Sequence, residues 1–411
     1  MKNLTKSYWF VLSIPVINAI AANTANYSGS DVYNTGTLRA AILSVFFIYF
    51  VFTLYPRNFP SRVILSSIFY LLFLVPFSTN IPFSLFGVLK FSLGVFMFPV
   101  GYYFINTPEK YRTLMKSLLV ALVIYLIFIV ISNALSLGKY DYAVGTFYFG
   151  SGSVNITKDI FVLVLMAPVC FILFPSSRNW LILLFTIGFL VAVVGIKRSV
   201  LISTILSVLI YLYKTGFRSN QVRFVLGGTF LIVMILVIFP SVYALFVKRI
   251  NAREDQLTLE EKKIEKEQRY GETTLVLKNW ADGSLAFKLF GSEPFNDRQY
   301  YKAIRMLHTD YMVMLNGTGA VGIFFWFFIY AAIFMEKAKY RKIIRSYRLL
   351  IEIDAIFLAL LFSQLFMSVS STVYAISLRG FIFLFWGASL SLMKSFYTEY
   401  RKSLIKQYVE N

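Results

Sequence analysis

The chain is expected to be all-α and to cross a membrane about twelve times. Three observations carry this expectation. Hydrophobic residues make up 58% of the 411 and charged residues only 15%, a composition for which water is not the main solvent. Apolar stretches long enough to cross about 30 Å of hydrocarbon recur along the sequence. Basic residues are sorted onto alternate connections between them.

The candidate spans run over roughly 8–22, 37–55, 63–79, 84–105, 113–135, 158–174, 179–195, 199–213, 223–246, 318–335, 350–370 and 378–394. The first, in MKNLTKSYWFVLSIPVINAIAAN, also has the basic head, apolar middle and small-residue end of a cleavable signal. It is counted here as a retained span. The short connections divide 28 basic residues into 21 on one side and seven on the other. The seven are Arg39, Lys90, Lys139, Lys158, Lys197, Arg198 and Arg379. Positive residues stay cytoplasmic, so both termini are expected inside. Residues 1–246 then hold spans one to nine, 247–317 form a large outer loop, 318–394 hold spans ten to twelve, and 395–411 are a cytoplasmic tail.

The net charge of +20 is therefore a topology signal rather than a nucleic-acid footprint. The outer loop itself is nearly balanced, with 12 basic and 11 acidic residues. In it, TLEEKKIEKEQR has the spacing of a short surface helix, with Thr258 and Glu261 as a capping box. ETTLVLKNW reads as a second helix with an apolar face, and LFGSEPFND as a loop built on Gly and Pro. Such a module is either a lid over a cavity or a solvated connector.

Absences narrow the chemistry. The sequence has no GxxxxGK[ST] loop, no HExxH, no GxSxG and no Cys/His metal spacing, so no cofactor or metal is expected. The single cysteine, Cys170, sits in an apolar run and reads as a packing residue.

Three places carry charge where hydrocarbon is expected. GIKRSVLIST, from Gly195 to Thr204, lies within 35 residues that must hold two spans, which puts Lys197 and Arg198 at or below the headgroups. They stand next to a helix start whose free N–H groups favour an anion, and Arg binds phosphate in a bidentate fork. The alternative is that both snorkel to lipid phosphates. Lys90, in FGVLKFSLG, poses the same choice, with snorkelling the plainer account. The only histidine, His308, opens HTDYMVMLNGTGAVG at the expected membrane surface, where an imidazole can take a proton from a hydroxyl at neutral pH. Asp310 is placed to orient it or is simply a surface carboxylate.

Together these places resemble the bacterial O-antigen polymerase and O-antigen ligase group. The resemblance rests on KRSVLIS at the eighth span, on QRYGETTLVLKNW followed by KLFGSEPF in the outer loop, and on HTDYMVMLNGTGAVG before the tenth. It implies a GT-C-like membrane glycosyltransferase at the periplasmic face of the inner membrane, working on undecaprenyl-pyrophosphate-linked oligosaccharide, with a chain-length regulator protein as a possible partner. Arg198 and Arg269 would bind the pyrophosphate and His308 would activate the attacking sugar hydroxyl. Lys197, Ser199, Arg249, Arg253, Lys90, Asp310 and Tyr311 are the further expected substrate contacts. Thr309 follows the histidine where this group commonly has Asn. A ligase acting on lipid A core and a lipid-linked oligosaccharide flippase are the competing readings. A transporter should line its midplane with ionisable groups, whereas these spans carry few central charges.

Overall fold

A computed structural model describes residues 2–24, 35–53, 57–136, 148, 156–195, 198–216, 244, 247, 268–296, 307, 309–370 and 375–410. Among these residues the structure is helical, with no β-strand. Seven helices are long and apolar enough to cross a membrane, or eight if one bent pair counts as a span. Three shorter apolar helices, Tyr8–Thr24, Ala41–Phe52 and Val200–Thr215, accompany them. Eleven of the twelve expected spans coincide with helices; the segment 223–246, apart from Ala244, lies outside the described residues.

In chain order the helices are α1 (Lys2–Thr24), α2 (Thr35–Thr53), α3 (Phe59–Leu74), α4 (Ile81–Val95), α5 (Met97–Phe104) and α6 (Pro108–Ala134). Then come α7 (Ile156–Leu165), α8 (Ala167–Leu173), α9 (Arg178–Val194) and α10 (Arg198–Thr215). The later ones are α11 (Gln268–Asp282), α12 (Leu285–Phe290), α13 (Asp310–Ala338), α14 (Arg341–Ile344), α15 (Arg348–Met367) and α16 (Ile376–Glu410).

Local sequence explains where several of them start and break. Asn58, Asn80 and Thr107 each accept a hydrogen bond from a first-turn N–H, and each is followed by a proline at the helix start. The polar side chain satisfies an orphan donor, and proline supplies a preset φ without one. Inside a span, proline has the opposite effect. Pro99 cannot donate to Val95, and the helix breaks between Val95 and Met97. Pro168 has the same relation to Val164, and α7 meets α8 at 44°.

The last span is the axis of the bundle: the apolar window of α16 is wholly buried. Small residues let α5 lie against it backbone to backbone. A Cβ on Gly101 would stand 2.4 Å from the Leu384 carbonyl oxygen, and one on Gly387 would stand 2.0 Å from that of Phe98. Close approach of this kind replaces the hydrophobic drive that lipid removes. Trp386, fully buried beside this seam, donates its indole N–H to the Phe357 carbonyl at 3.2 Å.

The two ends of the bundle differ chemically. At one end Lys337 pairs with Asp354, Lys214 lies 3.6 Å from the same carboxylate, and Tyr211 donates to Glu352 at 2.7 Å. At the other, Arg39 donates to Ser377 at 2.9 Å and Tyr125 to Asp159 at 2.7 Å. Gly195 packs on Thr157 there as well. The start of α10, three residues after Gly195, falls at this second end.

Candidate functional site

The site is built around a bend. Helix α13 contains Gly319 at φ 64° and ψ −165°, a conformation open essentially to glycine alone. On a straight helix, Tyr311 and Phe327 would stand about 24 Å apart at 1.5 Å per residue. Their rings instead stack at 5.8 Å. The first arm, Asp310–Thr318, therefore crosses the bundle rather than extending the span. Tyr311 anchors one end of the arm by donating to the Leu365 carbonyl at 2.6 Å, and Tyr70 donates to the Thr318 carbonyl at 2.7 Å at the other. The GTGAVG stretch, expected as a simple approach to the tenth span, is this corner.

Over the corner sits the segment from α12 to Asn296. Gly291 has φ 76°, and a Cβ there would lie 2.4 Å from the Thr318 nitrogen, so only glycine permits the approach. Ser292 bonds the Asn316 carbonyl through both its N–H, at 2.8 Å, and its hydroxyl, at 3.1 Å. The next residue, Glu293, is 1% exposed. It accepts from the Ser78 hydroxyl at 2.6 Å, the Thr79 N–H at 2.9 Å, the Thr79 hydroxyl at 2.8 Å and Asn296 at 2.7 Å. Burial pushes its carboxyl up, but the hydrogen bonds from Ser78, Asn296 and Thr79 outweigh that and hold it below its ordinary value. Phe295 then lies against Gly87 and Phe91. The described part of LFGSEPFND is docked on the bundle through Glu293, Ser292 and Phe295, and lid here denotes this docked segment.

Beneath this lid lie buried charges. Arg379, 1% exposed, places its guanidinium 5.1 Å over Phe91 and 5.9 Å over Trp326. Both Arg379 and Asp310 are in electrostatic contact with the buried Tyr330, which also faces Gln364. Two residues before Arg379, Ser377 receives the Arg39 hydrogen bond. Arg39 in turn lies within electrostatic range of Tyr125, Asp159 and Lys90. Lys158, beside Asp159 on α7, is buried as well. Arg39 with Ser377, the Tyr125–Asp159 pair and Arg379 over Phe91 and Trp326 thus bring polar groups to this end of an apolar bundle.

Several expectations change. Asp310 is fully buried rather than a surface carboxylate, because the bend turns the first arm of α13 inward. Lys90 is half-buried with its ammonium 4.1 Å from the Phe86 ring centroid. The ammonium thus lies one turn back toward the start of α4, and the snorkelling reading stands. Tyr311 serves the backbone of α15 and the face of Phe327.

His308, Lys197, Arg249 and Arg253 lie outside the described residues. So does the expected TLEEKKIEKEQR helix, apart from its last two residues, which begin α11. Arg198 and Ser199 form the first turn of α10, and Arg269 the first turn of α11; the side chains of these three are also outside the description. The backbone places them informatively. Gly195, three residues before Arg198, is against Thr157, next to Lys158 and Asp159. Ser207 on α10 meets Ser363 on α15 at 2.7 Å. The start of α10 therefore falls at the same end of the bundle as the cation group. α11 packs on α13, and Leu307 and Thr309, which flank His308, lead into the buried arm.

Sequence reasoning missed Arg39 and Arg379 as site residues, taking them only as topology markers. The available signal was Arg379 itself, an arginine four residues into an apolar span. No protein-family model matches the chain, and no curated protein matches it.

Proposed function

We propose that this chain is a membrane glycosyltransferase of the polysaccharide-polymerase type. It would have about twelve spans in a GT-C-like arrangement, its lid on the periplasmic side of a bacterial inner membrane and both termini in the cytoplasm. One observation supports this reading above the others. The helix start bearing Arg198 and the approach bearing His308 lead to the same end of the bundle as a buried group rich in cations. Positive charge held at the end of an apolar bundle attracts an anionic ligand, and a lipid-linked diphosphate is such a ligand.

The chemistry then balances without metal. A sugar hydroxyl of one lipid-linked repeat attacks the anomeric carbon of another, forming the new glycosidic C–O bond. The bond from that carbon to the diphosphate oxygen breaks, and the diphosphate leaves with the electron pair. His308 takes the hydroxyl proton, and Arg198 and Arg269 stabilise the charge growing on the leaving group. Fixed cations aimed at a developing anion lower the barrier by about 2–4 kcal/mol per donor in comparable transfer reactions.

A lipid-linked oligosaccharide carrier is the second reading. It is favoured by the burial of Arg379 within an apolar span. Arg198→Ala, Arg269→Ala and His308→Ala separate the two classes in a glycan gel from cells expressing each variant. The proposal expects single-repeat glycan in place of long chains from each, with the protein still in the membrane. Unchanged long chains from all three remove the proposed chemistry. Bare lipid core without any repeat points instead to the carrier or to the ligase that shares these residues.

A further inference from the structure

We infer that α12 is set into the membrane itself. Its outward face rests at the acyl-chain boundary of the leaflet on the lid side, while its hairpin partner α11 turns its back to water. The inference goes beyond the proposed function and does not rest on it.

The two helices of the hairpin are sorted differently. In α11, Val276 is buried and packs into the core, and the opposite face carries Thr274, Lys278 and Asp282, all exposed. That is the pattern of a helix lying on protein with water behind it. In α12 the inward positions are Phe287 and Lys288, both half-buried. Its outward face holds Leu285, Ala286, Leu289 and Phe290, all exposed, and no polar side chain interrupts them. Leu285 alone is 73% exposed. The face is fixed rather than free to turn inward. Ser284 caps the helix by accepting from the Phe287 N–H at 3.2 Å, and Trp280 of α11 donates its indole N–H to the Lys288 carbonyl at 3.0 Å. An apolar face held outward in this way marks a contact with something apolar.

Depth names the occupant. α12 touches the corner of α13, since a Cβ on Gly319 would lie 2.4 Å from the Leu289 carbonyl. From Gly319 to Ala338 the second arm of α13 rises about 30 Å, the thickness of the hydrocarbon. Its far end is marked by the ion pairs of Lys337 and Lys339, so Gly319 and Leu289 stand at the near edge of the hydrocarbon. The chain then goes deeper. Phe295 lies against Gly87 and Phe91, about 9–15 Å along α4 from its start at Ile81. At this end of α3 and α4 the outward side chains are also apolar and exposed, among them Phe77, Ile81 and Leu85. The lipid-facing surface of the spans therefore continues to the level of α12. The described charges of the hairpin balance, Lys278 and Lys288 against Glu272 and Asp282. Apolar contact with acyl chains, not headgroup charge, is what holds such a helix.

The experiment places a nitroxide on single cysteines of the full chain in phosphatidylcholine nanodiscs. It compares collisions with oxygen, which concentrates in hydrocarbon, and with a nickel chelate confined to water. Leu285→Cys and Leu289→Cys report on α12, Thr274→Cys and Lys278→Cys on α11, and Leu85→Cys on a lipid-facing span. All these positions are exposed, so each carries the label without repacking. Cys170 is buried, and labelling of the parent chain checks that it stays unreacted. The labels at 285 and 289 should favour oxygen as the label at 85 does, and those at 274 and 278 should favour the chelate. Adding phosphatidylglycerol should leave this division unchanged. Chelate access at 285 and 289 equal to that at 278 puts the face in water and overturns the inference. Shielding of 285 and 289 from both reagents makes the occupant a protein, a second copy or another chain, and overturns the leaflet. Oxygen preference that appears only with phosphatidylglycerol overturns apolar anchoring in favour of headgroup charge.

Discussion

Arg379 lies with its guanidinium 5.1 Å over the ring of Phe91, and Phe91 also supports Phe295 of the lid at 5.8 Å between centroids. One aromatic ring therefore joins the buried cation group to the segment that covers it. Lid docking and the electrostatics beneath are coupled through packing as well as charge.

Glu293 fastens the lid. Its carboxyl is held below the ordinary value because the hydrogen bonds outweigh burial. A carboxyl depressed in the folded state contributes stability above its undocked value, near 4.3, and loses it as pH falls through the lower docked value. Hydrogen exchange across residues 285–296 should be slow at pH 6 and quicken below about pH 4. Glu293→Ala should remove the pH dependence and free the segment at all pH values, at a local cost of about 3 kcal/mol. Unchanged exchange in the variant would show that the lid is held elsewhere.

Gly319 makes the corner. At φ 64°, with Leu289 backbone 2.4 Å from any Cβ, alanine is both strained and obstructed. Gly319→Ala should cost about 1–3 kcal/mol and straighten α13. A spin-label pair at positions 311 and 327 reads this directly: the distance should lengthen in the variant and stay short in the parent.

The seam between α5 and α16 depends on the missing side chain at position 387. Gly387→Ala should lower thermal stability in detergent by about 1–3 kcal/mol. Gly380→Ala, on the same helix but with its nearest neighbour at 3.4 Å, should be nearly silent. Equal effects would mean that helix propensity, not close approach, governs both.

At the far end, Lys337 and Asp354 pair with side chains only 6% and 12% exposed. Asp354→Ala leaves the ammonium buried beside Lys214 and should destabilise by about 3–5 kcal/mol. Replacing Lys337 by Met in the same chain should recover much of that loss, as melting curves of the three variants would record.

Much of the bundle was legible in the sequence because a spanning helix is a local property. Each apolar run reports its own presence, and Asn58, Asn80, Thr107 and the prolines mark their own starts and breaks. The site was legible only in fragments. Glu293 finds Ser78 and Thr79 more than 200 residues away, and Arg39 finds Ser377 across 338. Periodicity carries no information about such pairs. The Gly319 corner was hidden for a different reason. A glycine between two apolar stretches of helical character reads the same whether the helix runs straight or bends, and here contact with Leu289 and Gly291 decides it.

On the proposed function, this end of the bundle transfers glycan from a lipid diphosphate. The purified chain, supplied only with lipid-diphosphate-linked repeat units and a metal chelator, should build a ladder of longer lipid-linked products. His308→Ala and Arg198→Ala should leave single repeats. A ladder of equal length from both variants, or none from the parent while the repeats cross the bilayer, would contradict it.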